Sequence, residues 1–271
     1  MLARVTIWWS VLQMCIAERL AYRGDFVLGT TMRFLPIVTQ IFLWTAVFAG
    51  AGAGSMVGFT RNDIVAYYLL TMVARAFSSM PGLASGIASQ IRNGEIKKFL
   101  IQPIDLIGFL LTARLGHKLV YYGIAIGPFA LVFFLCRGYF PGWPPAEYFA
   151  AFLISLVLAF LLGFFLEASL GLMGFWILEV SSLLFVYMLF NFFFSGHMFP
   201  LEVLPEPWRT WVGWLPLKYL AYFPAAVFLE KIPHDQLWRE VLILAAWVVF
   251  FMFLCRRLMH AGFRRYSGYG G

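Results

Sequence analysis

Six long apolar stretches dominate this chain of 271 residues and restrict the folds open to it. Apolar residues make up 62% of the composition and charged residues 12%, so a water-soluble fold would lack the polar surface that it needs. A helix requires about 20 consecutive apolar residues to cross the hydrocarbon core of a bilayer. The sequence therefore predicts an all-α polytopic membrane protein with spans at 26–48, 64–91, 117–135, 146–166, 175–194 and 237–254.

Basic residues are distributed unevenly around these spans. When the N-terminus is placed in the cytoplasm, most Lys and Arg residues fall in loops on the cytoplasmic side. Positive charge beside a span holds its loop on that side, and an even number of spans then places both termini inside. The net charge of +7 is explained by basic groups at the level of anionic lipid headgroups. We expect the lipid bilayer, and no nucleic acid, as the partner of this charge.

The pattern along the chain predicts a single membrane domain, 1–271, with three distinctive segments. Residues 1–25 have the spacing of an amphipathic helix that lies in the membrane interface. Residues 92–116 form a cytoplasmic loop that mixes charged and apolar side chains. Residues 195–236 form a long outer loop that is rich in proline and aromatic residues. Backbone at membrane depth must be helical or covered by protein, so short re-entrant helices are expected in this outer loop before the last span.

Two local breaks are predicted in and after the second span. Pro81-Gly82 should kink the span, because proline lacks a backbone donor and clashes with the preceding helical turn. Asn93-Gly94 should end the helix that follows, because glycine readily adopts the left-handed conformation found after helix ends.

Motifs of catalysis are absent from the sequence. It contains no phosphate-binding G-x-x-x-x-G-K-[ST] loop, no G-x-S-x-G turn and no H-E-x-x-H pair. We therefore expect neither an enzyme nor a bound cofactor or metal.

Ionisable residues inside or beside the spans are the stronger polar signal, because such groups are costly in a membrane and tend to face the protein interior. Four of them are candidates for a polar seam between helices: Arg33, Arg75, Glu167 and Glu179. Glu167 and Glu179 are predicted to border the turn between the fourth and fifth spans. The seam is either a functional element that meets an anionic group or a static ion pair.

Two sequence motifs resemble those of a known family. The first is the outer re-entrant motif, which consists of Ser195, Gly196, Pro200, Leu201, Pro205, Leu215, Pro216, Tyr219 and Pro224. The second runs from Gly94-Glu95 to Pro103 and is similar to the coupling stretch of that family, with Leu100 one residue late. With the six spans and the N-terminal helix, these motifs resemble the membrane permease subunits of type-2 ABC exporters over nearly the whole chain.

The resemblance implies a transport mechanism in a bacterial inner membrane. Two permeases pair, as a homodimer or a heterodimer, and two cytoplasmic ATP-binding subunits dock on them. ATP and Mg²⁺ bind those partner subunits and not this chain. The resemblance assigns the docking to an ATPase-coupling surface formed by Gly94, Glu95, Lys97, Lys98, Phe99, Leu100 and Pro103. We expect Phe99 and Leu100 to enter a groove on the ATP-binding subunit, while the charges set the register.

Two other functions fit parts of the sequence. An ion-coupled secondary transporter would need acidic or histidine relays at mid-membrane, whereas most carboxylates here lie at span boundaries. A non-transporting membrane scaffold would explain the lack of catalytic groups but would leave the proline-rich outer loop without a role.

Overall fold

The computed structural model describes residues 2–21, 35–51, 55–56, 58–101, 104–177 and 179–266. The regular structure in these ranges is helical apart from one short hairpin, in which β1 (Ser55–Met56) pairs antiparallel with β2 (Phe59–Thr60). The predicted all-α class is confirmed. In chain order the helices are α1 (Leu2–Ala21), α2 (Leu35–Ala51), α3 (Arg61–Ser78), α4 (Leu83–Arg92), α5 (Lys97–Ile101), α6 (Leu106–Leu135), α7 (Ala146–Leu172), α8 (Ser181–Phe194), α9 (Trp208–Trp214), α10 (Tyr222–Phe228) and α11 (His234–Arg265).

The chain forms two compact units. The first unit comprises residues 1–51 and 98–139, and the second comprises residues 52–97 and 140–271.

The first unit is organised by the packing of α1 against α6. Two glycines on α6, eight residues apart, let α1 approach closely. A Cβ atom at Gly108 would lie 2.8 Å from Trp8, and one at Gly116 would lie 3.2 Å from the Cβ of Cys15. Residues eight apart lie on nearly the same face of a helix, so the two glycines form one contact surface. The predicted N-terminal helix is thus confirmed as a helix; its position in the membrane interface stays a prediction.

The second unit is built around α7, which contacts α3, α4, α10 and α11. Its buried side chains include Ala159, Leu162 and Phe164, which are fully covered. Glycine again sets the closest approaches. A Cβ atom at Gly163 would overlap the backbone carbonyl of Ser78, and one at Gly171 would lie 2.7 Å from the carbonyl oxygen of Ala84.

Both predicted helix breaks are present in the second unit. The span predicted at 64–91 consists of two helices, α3 and α4, separated by four residues that include Pro81 and Gly82. Gly82 has a φ of +72°, which is the left-handed conformation that glycine adopts without strain. The second helix then ends at Arg92, and Gly94 has a φ of +75°. The predicted kink is therefore a full interruption of the helix.

Three of the described helices are long and apolar enough to cross a membrane: Leu106–Leu135, Ala146–Phe175 and His234–Arg265. They match the third, fourth and sixth predicted spans but extend beyond them. The fifth predicted span, 175–194, was placed too early, since α8 begins at Ser181. The 14 residues of α8 reach about 21 Å, less than the roughly 30 Å hydrocarbon core. The count of six spans stays a prediction.

The segment at 195–236 contains short helices, as predicted. These are α9, α10 and two 3₁₀ turns, Leu201–Val203 and Pro216–Leu220. Trp208, Trp211 and Trp214 all project from α9 and are more than half exposed, while Val212 on the same helix is buried. The re-entry of this segment into a membrane stays a prediction.

Candidate functional site

The predicted coupling segment begins with a tight reversal of the chain. After α4 ends, the N–H of Gly94 donates to the carbonyl of Ile91 at 3.2 Å, and the N–H of Ile96 donates to the carbonyl of Gln90 at 3.2 Å. Ile96 is buried. The left-handed conformation of Gly94 makes this reversal possible, so a side chain at this position would strain the backbone. The turn fixes where α5 starts.

Phe99 does not occupy the position that the sequence suggested. We expected this side chain to enter a groove on a partner, but only 9% of it is exposed. Its ring packs against Phe109 of α6 with the ring centroids 5.4 Å apart, and the Lys98 ammonium lies 5.3 Å from the centroid of the Phe99 ring. The expectation of an exposed Phe99 was wrong, because the apolar start of α6 already supplies the surface that covers this ring.

Among the described side chains of this segment, Ile101 is the exposed apolar one, and the sequence analysis missed it. Its side chain is 85% exposed. Lys97, Lys98 and Glu95 are exposed as well. Ile101 follows Lys97 by four residues and Lys98 by three, so these three residues share one face of α5.

Two of the predicted coupling residues are not fully described by the structure. The side chain of Leu100 and the whole of Pro103 lie outside the described residues. Directly after this gap, Asp105 caps α6, because its carboxylate accepts a hydrogen bond from the N–H of Gly108 at 2.7 Å. This cap stabilises the first turn of α6.

The predicted polar seam is divided. Glu167 lies inside α7, five residues before its end, so its predicted position at a turn was wrong; the helix continues because its next turn is buried against α4. Arg75 and Glu167 both interact electrostatically with the phenol of Tyr187. Glu179 does lie between α7 and α8, where it pairs with Arg92 at 3.4 Å. Arg33 lies outside the described residues.

The two parts of the seam, the Arg92–Glu179 pair and the surroundings of Arg75, differ in their exposure to solvent. Arg92 and Glu179 are both more than half exposed, so their ion pair contributes little to stability. Arg75 also acts on the imidazole of His197, which follows α8. The Nδ1 of His197 and the Oδ1 of Asn191 are buried and have no hydrogen-bond partner among the described residues. Sequence analysis did not group Arg75 with these residues, because it lies on α3, whereas Asn191 and His197 lie in and just after α8.

The motif at 195–224 is tied to α3 by backbone carbonyls. The hydroxyl of Tyr67 donates to the carbonyl of Gly196, and the N–H of Tyr222 donates to the carbonyl of Ser195 at 2.8 Å. Gly196 has a φ of +78°, and a Cβ atom there would lie 2.5 Å from the Cβ of Tyr222. Glycine is therefore required at this position both by conformation and by space.

Other members of this motif are buried or mark turns. Ser195, Tyr219 and Pro224 are buried, and Pro216 begins the second 3₁₀ turn. Pro200 and Pro205 flank the first 3₁₀ turn. The structure therefore brings the predicted motif together as a folded element of the second unit.

Within the described ranges, no group of three or more His, Cys, Asp or Glu residues is arranged to hold a metal ion.

The chain was compared with known proteins. A family model described as "ABC-2 family transporter protein" matches residues 34–270, which include the coupling segment and the motif at 195–224. A search of curated proteins finds no match. The family match covers most of the 271 residues and confirms the resemblance suggested by the motifs. The chain belongs to the ABC-2 family of transporter proteins, the membrane-spanning components of ABC transporters.

Proposed function

We propose that this chain is the transmembrane subunit of an ATP-driven exporter in a bacterial inner membrane. It would form the translocation path with a second permease and couple to two cytoplasmic ATP-binding subunits. Membership of the ABC-2 family supports the association with ATP-binding subunits. The absence of a phosphate-binding motif from the full sequence is consistent with ATP hydrolysis on another chain.

The observation that carries the coupling proposal is the exposure of Ile101 beside Lys97 and Lys98. A large aliphatic side chain that is 85% exposed at the end of a five-residue helix needs a partner surface to cover it. Two adjacent ammonium groups favour a partner with acidic residues around an apolar groove. In the revised assignment Ile101 enters that groove, and Phe99 instead attaches α5 to α6.

This arrangement supplies a route for mechanical coupling. Force applied to α5 would reach α6 through the packing of Phe99 on Phe109. The same force would reach α4 through the turn at Gly94 and Ile96. In this proposal a displacement of α5 is passed to the helix before it and to the helix after it in the chain.

Substitution of Ile101 tests the assignment. We expect Ile101→Asp to fold normally but to weaken ATP-binding subunit association by about 2 kcal/mol, or roughly thirtyfold, because an interface anchor is replaced by a charge. The first measurement is the amount of ATP-binding subunit that co-purifies with this chain when the two are expressed together. The second is the rate of ATP hydrolysis by the purified complex.

Val203→Asp is the matched control, since Val203 is also an exposed aliphatic residue but lies in the 3₁₀ turn at Leu201–Val203. It should leave both measurements unchanged. Phe99→Asp is a poor test, because it would disrupt the packing on Phe109. Full retention and stimulation of the ATP-binding subunit by Ile101→Asp would exclude this coupling surface.

A further inference from the structure

A small cavity with several charged side chains in its lining lies among the elements of the second unit between residues 201 and 240. Its volume is about 170 Å³. The side chains that give it chemical character are Glu202, Arg209, Lys218, Tyr222 and Glu240. Two carboxylates and two cations thus meet around one cavity, although only 12% of the chain is charged.

Part of this charge is paired inside the protein. The ammonium of Lys218 contacts Oε2 of Glu240 at 2.8 Å, and the hydroxyl of Tyr219 donates to the same oxygen at 2.7 Å. The hydroxyl of Tyr222 donates to Oε1 of Glu202. These bonds orient both carboxylates.

Other polar groups of the lining residues are not fully used inside the protein. Oε2 of Glu202 is buried and makes no hydrogen bond with a described residue. Arg209 makes its ion pair with Glu206 through Nε at 2.8 Å, so this pair does not use its two terminal amino groups. A buried carboxylate oxygen without a donor is costly. The terminal edge of a guanidinium suits an oxyanion, which it binds through two parallel hydrogen bonds.

We propose that this cavity binds a compact zwitterion that carries a primary ammonium and an oxyanion. The ammonium donates to the Glu202 carboxylate, and the oxyanion accepts from Arg209 and Lys218. The volume of about 170 Å³ is below the range of pockets for drug-sized ligands, so only a headgroup-sized molecule fits. A primary ammonium has three N–H donors for Glu202, whereas a trimethylammonium has none.

Phosphoethanolamine has this chemistry, either as a lipid headgroup or as a free solute. The helix that carries Arg209 favours the lipid. Trp208, Trp211 and Trp214 on α9 are 60%, 70% and 78% exposed, and indole rings favour the membrane–water interface. The cavity would then lie at headgroup level. This inference does not depend on coupling to an ATP-binding subunit.

Native mass spectrometry of the full chain in detergent tests the proposal. The protein is delipidated and then mixed with equimolar phosphatidylethanolamine, phosphatidylcholine and phosphatidylglycerol. We expect retention of phosphatidylethanolamine about tenfold above the other two, because each of them lacks one of the two charges or its N–H donors. Arg209→Gln and Glu202→Gln should each remove this preference.

Two further variants separate cavity binding from a general effect of charge. Gly213 lines the cavity, and a Cβ atom there would have nothing within 4 Å, so Gly213→Leu fills the space and leaves every charge in place. It should abolish the preference. Arg239→Gln removes a cation from an exposed position next to Glu240 but outside the cavity, and it should keep the preference.

Calorimetry with soluble phosphoethanolamine distinguishes the two sources. Binding that is lost in Gly213→Leu would identify a site that also accepts a free zwitterion, whereas retention of the lipid alone would identify a headgroup site. Both outcomes support the proposal. It is overturned if the three lipids are retained equally and phosphoethanolamine does not bind, or if Gly213→Leu and Arg239→Gln behave alike.

Discussion

Asp63 shows how one carboxylate connects distant parts of the second unit. Its Oδ2 accepts from the N–H of Thr60 at 3.0 Å and from the ammonium of Lys231 at 2.9 Å. Thr60 in turn accepts from the N–H of Asp63, which completes a capping box at the start of α3. Lys231 also donates to the carbonyl of Gly58 at 3.1 Å. The hairpin and the start of α3 are thereby attached to the residues that precede α11.

This attachment predicts that the stability of the fold depends on pH. Burial raises the pKa of Asp63, but the Thr60 hydrogen bond and the hydrogen bond and charge of Lys231 outweigh burial and leave the pKa below its ordinary value. A carboxylate with a lowered folded-state pKa stabilises the fold above its unfolded pKa of about 4, and this stability is lost as pH falls through the folded value. We predict that Asp63→Asn lowers the unfolding temperature at pH 7 and that the difference shrinks below about pH 4.

The measurement is the thermal unfolding midpoint in detergent at pH 7, 5, 4 and 3. Asp235→Asn is the control, because Asp235 is an exposed carboxylate in the first turn of α11. It should change the midpoint little at any pH. If the unfolding midpoints of wild type and Asp63→Asn differ by the same amount from pH 7 to pH 3, the ionic role of Asp63 is contradicted.

At the scale of elements, the surface of α7 decides how closely its neighbours pack. Gly163 meets the backbone of Ser78 at the end of α3, and Gly171 meets the backbone of Ala84 in α4. These two contacts lie on opposite sides of the break at Pro81-Gly82. The break therefore separates two helices that each have a backbone contact with a glycine of α7.

A single methyl group should therefore disrupt this packing. We predict that Gly163→Ala destabilises the protein by at least about 1–3 kcal/mol, because the new atom overlaps a backbone carbonyl that cannot rotate away. Gly86→Ala is the control: a Cβ atom there would have nothing within 4 Å, and alanine favours a helix by roughly 1 kcal/mol over glycine. Thermal unfolding in detergent compares the two, and equal midpoints would show that α3 is not held against α7 in this way.

At the scale of the whole molecule, the number of predicted spans determines on which side of the membrane each segment lies. Three predicted spans, 117–135, 146–166 and 175–194, separate the coupling segment from the loop at 195–236. An odd number of crossings places these two segments on opposite sides of the membrane. Both contain exposed residues that accept a label, namely Lys97 and Glu206.

We predict that a membrane-impermeant maleimide labels Glu206→Cys on intact spheroplasts and labels Lys97→Cys only after permeabilisation. The variants are made in a background in which Cys15, Cys136 and Cys255 are replaced by alanine. Labelling of both positions from the same side would show that one of the three spans does not cross. The 14-residue α8 would then be the first segment to re-examine.

The types of residues and their near neighbours in the sequence determined the membrane class and several helix boundaries of this protein. The abundance of apolar residues predicts the membrane class, and proline and glycine predict the interruption after α3, the end of α4 and the short helices of the 195–236 segment. These features were predictable because backbone conformation depends on the residue itself and its nearest neighbours. The family motifs in the same segments were readable for the same reason.

Only the tertiary structure decided which side chains face a partner and which face the protein. Phe99 and Ile101 are both apolar residues of α5, and a five-residue helix has too little periodicity to tell them apart; the position of Phe109 does so. Likewise, Glu202, Arg209, Lys218 and Glu240 are spread over 39 residues and share one cavity only because turns and helices return the chain to it. Burial depends on residues far away in the chain, which no local pattern encodes.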